Sequence, residues 1–106
     1  MKVITLCGSL RVGRKLWDEI GKKLALDGWC VLTVVVWDMY DELHSTHKDL
    51  KKKLDDEHLQ KILMSNAIFV INKDGYIGES TKREIEYAKK LNLHIYYLED
   101  LRGVEK

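Results

Sequence analysis

The 106-residue sequence has no proline, one phenylalanine, two cysteines and no surplus of either charge, since 18 Lys and Arg stand against 17 Asp and Glu. A formal charge of +1 supplies no field for gripping a nucleic-acid polymer, although a small phosphate needs only a local site. No apolar run approaches the length of a membrane span, so no membrane partner is expected. Met1-Lys2 leads straight into a strand, so no secretory leader is expected. Cys7 and Cys30 both lie in apolar runs and read as buried thiols in a reducing compartment, with the cytoplasm as the expected location. No internal repeat, low-complexity tract or linker interrupts the chain. What remains is a composition of 45% hydrophobic and 33% charged residues, ordinary for a globular protein. The length suits one domain, residues 1–106, with a single core.

The pattern alternates strand and helix. Lys2 to Cys7 reads as a first strand ending at Gly8-Ser9-Leu10-Arg11, followed by a helix from about Arg14 to Leu26 that Asp27-Gly28 closes. Trp29 to Trp37 is so continuous in β-branched residues that the whole segment reads as a buried second strand. Residues 38 to 66 are polar and helical in character, with a break expected near Leu54. There Lys51-Lys52-Lys53 suits a helix C-terminus and Asp55-Asp56-Glu57 a helix N-terminus. The second piece, 56 to 65, turns Leu59, Ile62 and Leu63 inward. Ala67 to Ile71 is a third strand, His94 to Leu98 a fourth, and Asn92 the C-cap of the helix between them. Right-handed crossovers then require an α/β domain with a parallel sheet of four strands, or five, in order 2-1-3-4 with helices on both faces. The topological switch point falls between strands 1 and 3, whose carboxyl ends carry Gly8 to Arg11 and Gly75 to Glu84.

Glu84 stands out in this arrangement. Ile85, Ala88 and Leu91 define the buried stripe of its helix, and Glu84 falls inside that arc, where a carboxylate needs a partner or a task. Thr81-Lys82-Arg83-Glu84 also fits a capping box, in which Glu84 reaches back to a backbone N–H. The two readings stand side by side. Gly8 to Lys15 approximates a Walker loop but carries Arg14 for its lysine and Lys15 for its hydroxyl. A simpler use is a phosphate held by Ser9 and backbone N–H groups with Arg11 adding a charged fork, set against a plain turn with a solvated arginine. His44 and His47 have no third ligand in register, Cys7 reads as core, and no metal or cofactor is expected. His58 lies on a helix near the crevice, either as a surface histidine or as a proton-transfer group.

Cys7 to Arg11, Asn66 to Asn72 and Gly75 to Ala88 together resemble the nucleoside 2-deoxyribosyltransferase superfamily. The resemblance spans nearly the whole chain. It implies a flavodoxin-like sheet and cleavage or transfer at the N-glycosidic bond of a (deoxy)ribonucleoside or its 5′-monophosphate. Glu84, followed by Ile85 and by Ala88, occupies the place of the family's nucleophile. Gly8, Ser9, Leu10 and Arg11 match the phosphate-binding turn of the monophosphate hydrolases. His58 stands where the family carries a catalytic aspartate, with Asp55 and Asp56 one turn earlier. Gly78 stands where transferases carry an aspartate and the hydrolases a serine, the nearby hydroxyls here being Ser80 and Thr81. On this reading Glu84 attacks the anomeric carbon, and water or a second base resolves the glycosyl-enzyme. Ser9, Arg11, Ser80 and Thr81 hold phosphate, Tyr76 stacks on the base, and His58, or Asp55 or Asp56, supplies the proton. The alternatives are a nucleotide-binding protein that uses the crevice without cleavage, and an interaction module in which Glu84 only caps. A homo-oligomer is expected, because Trp29, Trp37 and Val34 to Val36 fall on an edge strand and family members share active-site residues between subunits.

Overall fold

The computed structural model describes residues 1–37 and 48–99. His44 and His47 lie outside them. A four-stranded parallel sheet runs in the order β2-β1-β3-β4, as the crossover rule requires. Strand β1 is Val3–Gly8, β2 Cys30–Leu32, β3 Ala67–Ile71 and β4 His94–Tyr97. Between them run α1 (Arg14–Leu26), α2 (Lys48–Leu63) and α3 (Glu79–Lys90). Among the described residues no helix is long and apolar enough to cross a membrane.

Strands β1 and β3 are central and covered on both faces, which is why β3 reads as an unbroken apolar run and β1 as one interrupted by Thr5. Side chains alternate, so Leu6 and Ile71 pack with Trp17 and Ile20 of α1 on one face. Cys7, Ile68 and Val70 pack with Ile62 of α2 and with Ile85 and Ala88 of α3 on the other. Polar side chains pin the strand ends. Thr5 Oγ1 and Ser65 Oγ lie 2.6 Å apart, and the Ser65 hydroxyl donates to the Lys61 carbonyl at 2.8 Å. Asn72, fully buried, accepts from Glu99 N–H at 2.8 Å and donates to the Glu99 carbonyl at 3.1 Å, tying the chain after β4 to the end of β3.

Five expectations need correction. The second strand does not extend from Trp29 to Trp37, because pairing with β1 stops at Thr5 opposite Leu32. Beyond that point the Thr33 carbonyl accepts from Lys61 Nζ at 2.7 Å, and Trp37 meets Trp17 edge to face at a centroid distance of 5.5 Å, so the valines leave the sheet. A run of β-branched residues suits extended chain whether or not a neighbouring strand pairs with it. Helix α2 does not break near Leu54. Lys51–Asp55 at 2.7 Å and Lys52–Asp56 at 2.9 Å span the charge reversal with i,i+4 pairs, and Glu57–Lys61 at 3.0 Å follows it, each contributing about 0.2–0.5 kcal/mol. Leu63 is exposed, and His58 takes an inward position together with Ile62. Cys30 is exposed at the sheet edge, while Cys7 is fully buried. Asn92 follows the C-cap, which is Leu91, and holds the left-handed φ of +59° that ends a helix.

Candidate active site

Two loops meet over the carboxyl ends of β1 and β3. Gly8 is required at the first, since a Cβ there would lie 2.9 Å from the Ile71 carbonyl oxygen. The chain therefore turns immediately, and Ser9 caps a short 3-10 turn, Leu10–Val12, by accepting from Arg11 N–H at 3.2 Å. Trp17 Nε1–H donates to the Ser9 carbonyl at 3.2 Å, so the buried indole of α1 fixes the loop from below. The second loop turns at Asp74 and Gly75, which hold positive φ angles of 57° and 81°, and enters α3 with Gly78 as N-cap. A Cβ on Gly78 would come within 3.2 Å of the Tyr76 hydroxyl, so this glycine lets the tyrosine lie across the entrance.

Between the loops lies a crevice of about 280 Å³, near the lower end of small-molecule pockets. Gly8, Ser9, Leu10 and Arg11 line one wall; Tyr76, Gly78, Ser80 and Thr81 line the other, and Glu84 and His58 both reach it. Thus every site residue expected from the sequence is brought to one place. Asp55 also lines it, beside its ion pair with Lys51, whereas Asp56 pairs with Lys52 on the exposed side of α2. Val34, Val35 and Val36, expected in a strand, form an apolar part of the wall.

Glu84 does not cap its helix. Helix α3 starts at Glu79, so Thr81 is already inside the first turn and buried, and Glu84 lies in the second turn. Its side chain is only 16% exposed. Burial, and then the Asp55 carboxylate, push its pKa up to about 7, against a hydrogen bond from Cys7 and the charges of Arg83 and Lys51. Lying in the second turn, Glu84 is beyond the first turn in which a helix dipole favours a charged carboxylate, and burial decides its ionisation. His58 is also buried, with Nε2 3.9 Å from Glu84 Oε2. Burial and then the Lys61 charge pull its pKa down to about 4, despite a hydrogen bond to the Leu6 backbone and the nearby Glu57 and Asp55. At neutral pH this imidazole is uncharged. Its contact with Glu84 is polar and not a salt bridge.

Cys7 completes the cluster. Its thiol is pushed well above its ordinary value, by burial first and then by the Glu84 charge and hydrogen bond. Cys7 Sγ, a His58 ring nitrogen and a Glu84 carboxylate oxygen all lie within 4.8 Å of one another. Reading Cys7 as core was right about its burial and missed its neighbour. Strand alternation held the clue, because the position one residue before Gly8 puts the thiol on the α2–α3 face, buried behind Glu84 and His58. No protein-family model matches the chain, and no curated protein matches it.

Proposed function

We propose that the crevice cleaves or transfers at the N-glycosidic bond of a (deoxy)ribonucleoside or its 5′-monophosphate, with Glu84 as nucleophile. The observation that supports this most is the placing of one nearly buried carboxylate on a crevice floor opposite a glycine-serine-leucine-arginine turn. A carboxylate suits an oxocarbenium-like transition state, and the turn suits a phosphate. Glu84 attacks C1′ as the C1′–N bond breaks, and the base leaves with the bonding electron pair and takes up a proton. Water or a second base then attacks C1′, the ester C–O bond breaks, and the carboxylate is restored. Near its pKa of about 7, Glu84 is ionised in about half of the molecules at neutral pH.

Ser9 accepts from Arg11 N–H, which leaves its own hydroxyl proton free for a phosphate oxygen, and Arg11 adds charge. Ser80 accepts from the Arg83 guanidinium at 3.3 Å and likewise retains a proton to donate. Thr81 and Gly78 shape the same wall, and Tyr76, more than half exposed, offers its ring to a base. The departing base takes its proton on the wall where His58 and Asp55 stand. With no charge of its own at pH 7, His58 passes a proton more readily than it stores one.

A second reading, a nucleotide-binding protein without cleavage, draws on the same raised pKa, since a protonated Glu84 donates a hydrogen bond to a ligand as readily as its ionised form attacks one. Incubation with nucleosides and 5′-monophosphates, followed by chromatography for free base, separates the two. Base release supports the first reading, and binding without release the second. A homo-oligomer, at least a dimer, belongs to the same proposal. Of the residues behind that expectation, Trp29, Val34, Val36 and Trp37 are half-buried within the chain and only Val35 is exposed, so the support rests on Val35 together with the exposed Leu26 and Tyr96. Light scattering at micromolar concentration should give at least twice the monomer mass of 12.4 kDa.

A further inference from the structure

We propose that Cys7, His58 and Glu84 form a three-ligand site for a thiophilic divalent cation, Zn²⁺ or Co²⁺, with a fourth position open to the crevice. The three side chains come from β1, α2 and α3 respectively, so the tertiary fold and not one helix turn brings them together. Their ligand atoms all lie within 4.8 Å of one another, and His58 Nε2 is 3.9 Å from Glu84 Oε2. A tetrahedral ion with bonds of about 2.0–2.3 Å needs ligand atoms about 3.3–3.8 Å apart, which small side-chain rotations supply here. A 3.9 Å gap is too long for a direct hydrogen bond.

Chemistry and surroundings agree with the spacing. Thiolate, imidazole and carboxylate form a borderline-soft set that fits Zn²⁺ or Co²⁺ and not Mg²⁺ or Ca²⁺, which take oxygen ligands. On binding, the thiol proton leaves, along with the carboxyl proton where Glu84 carries one. The ion's two positive charges are then matched by one thiolate and one carboxylate, so the buried cluster becomes neutral. His58 and Glu84 line the crevice while Cys7 lies fully buried behind them, which is the open three-ligand arrangement of zinc sites that keep an exchangeable position. The inference does not rest on the glycosidase reading. Where both hold, the cation occupies the nucleophile and inhibits base release.

Co²⁺ titration of chain freed of metal with EDTA, under reducing and anaerobic conditions, tests the site. A sulfur-to-cobalt charge-transfer band should appear in the near ultraviolet, together with visible bands of tetrahedral intensity. Zn²⁺ should abolish both. Cys30→Ser should keep the charge-transfer band and Cys7→Ser should lose it. Glu84→Gln and His58→Gln should keep the band but weaken Zn²⁺, measured by competition with a chromophoric chelator, by at least about 10- to 100-fold. No band in the wild type, or a band lost in Cys30→Ser and kept in Cys7→Ser, overturns the proposal. If Cys7→Ser does not fold, the Glu84→Gln and His58→Gln affinities decide: unchanged Zn²⁺ binding in both overturns it as well. None of these readouts needs catalysis, so failure to release base leaves the metal result standing and the reverse.

Discussion

Leu6 and Cys7 are neighbours on one strand, and the two faces they enter are built on different principles. On the α1 face, Leu6, Trp17, Ile20 and Ile71 form an apolar core to which the Trp17 indole adds a hydrogen bond to Ser9. On the α2–α3 face, Ile62, Ile68, Val70, Ile85 and Ala88 also pack together, but the end beneath the crevice holds a thiol, an imidazole and a carboxyl group. The first face contributes stability by removing apolar surface from water. The second gives some of that stability up, because Glu84 and His58 are both held away from their ordinary pKa values by burial. Such expense, at the carboxyl end of a parallel sheet and beside a switch point, is what supports placing the proposed chemistry on this face.

The largest expected effect comes from removing the carboxylate. Glutamine keeps the size of Glu84 but cannot act as a nucleophile, so Glu84→Gln should reduce base release by about 10³-fold or more while nucleotide binding is largely kept. Single-turnover assays with a 5′-monophosphate measure the first effect and equilibrium dialysis the second. Wild-type rates in Glu84→Gln would end the proposal as drawn.

On the opposite face the sharpest change is Trp17→Ala. It removes a side chain that is 2% exposed and the donor that holds the Ser9 carbonyl. Urea denaturation should show a loss of about 3–5 kcal/mol. Glu84→Gln in the same experiment at pH 8 should show a gain, and that opposition of sign is the contrast between the faces in measurable form. A loss from both substitutions would mean that the buried carboxylate supports the fold.

The two faces differ also in how legible they were. Apolar runs separated by glycine turns and amphipathic helices announced the sheet, its order and the meeting of the two loops, since those signals are local and the crossover rule does the rest. The errors occurred where a local pattern has two physical outcomes. Val34 to Val36 suit extended chain either way, and only the Lys61 bond to Thr33 and the packing of Trp37 on Trp17 show that the segment leaves the sheet. Thr81 and Glu84 have capping-box spacing, yet the same spacing lies one turn deeper once Gly78 begins the helix. The inward turn of Glu84 was visible in the helical period. Its partners were not, because Cys7 and His58 are brought to it by β1 and α2, and periodicity within α3 carries no information about either.

The third effect is a dependence of stability on pH, measured in the presence of EDTA. Glu84 rises from 4.5 to about 7 on folding, so the stability it allows is complete below pH 4.5 and is lost as pH rises through 7. His58 falls from 6.5 to about 4, so its contribution is complete above pH 6.5 and is lost as pH falls through 4. Each shift corresponds to about 3 kcal/mol. In the wild type the two slopes oppose each other between pH 4.5 and 6.5 and nearly cancel. Glu84→Gln should therefore exceed wild-type stability by about 3 kcal/mol at pH 8 and match it at pH 4, and His58→Gln should do the reverse. A difference from wild type that does not vary with pH in either variant would show that the burial of these groups is not what shifts them.

The smallest expected effect belongs to Arg11, the one exposed residue among the loop positions that line the first wall. It contributes nothing to either core, so Arg11→Ala should leave urea stability within about 0.5 kcal/mol of wild type. Its consequence should appear only in ligand choice. A guanidinium–phosphate hydrogen bond contributes about 1.5–3 kcal/mol, so affinity for a 5′-monophosphate should fall by roughly 10- to 150-fold. The matching nucleoside has no phosphate for Arg11 to hold and should lose little. Because the contact is partly open to water, the gap between the two ligands should also narrow as salt is raised. Calorimetric titration of both ligands into wild type and Arg11→Ala, at low and high ionic strength, measures this difference. Equal losses for nucleoside and monophosphate would mean that the arginine points away from the phosphate, and would leave Ser9, Ser80 and Thr81 to bind it without a charged partner.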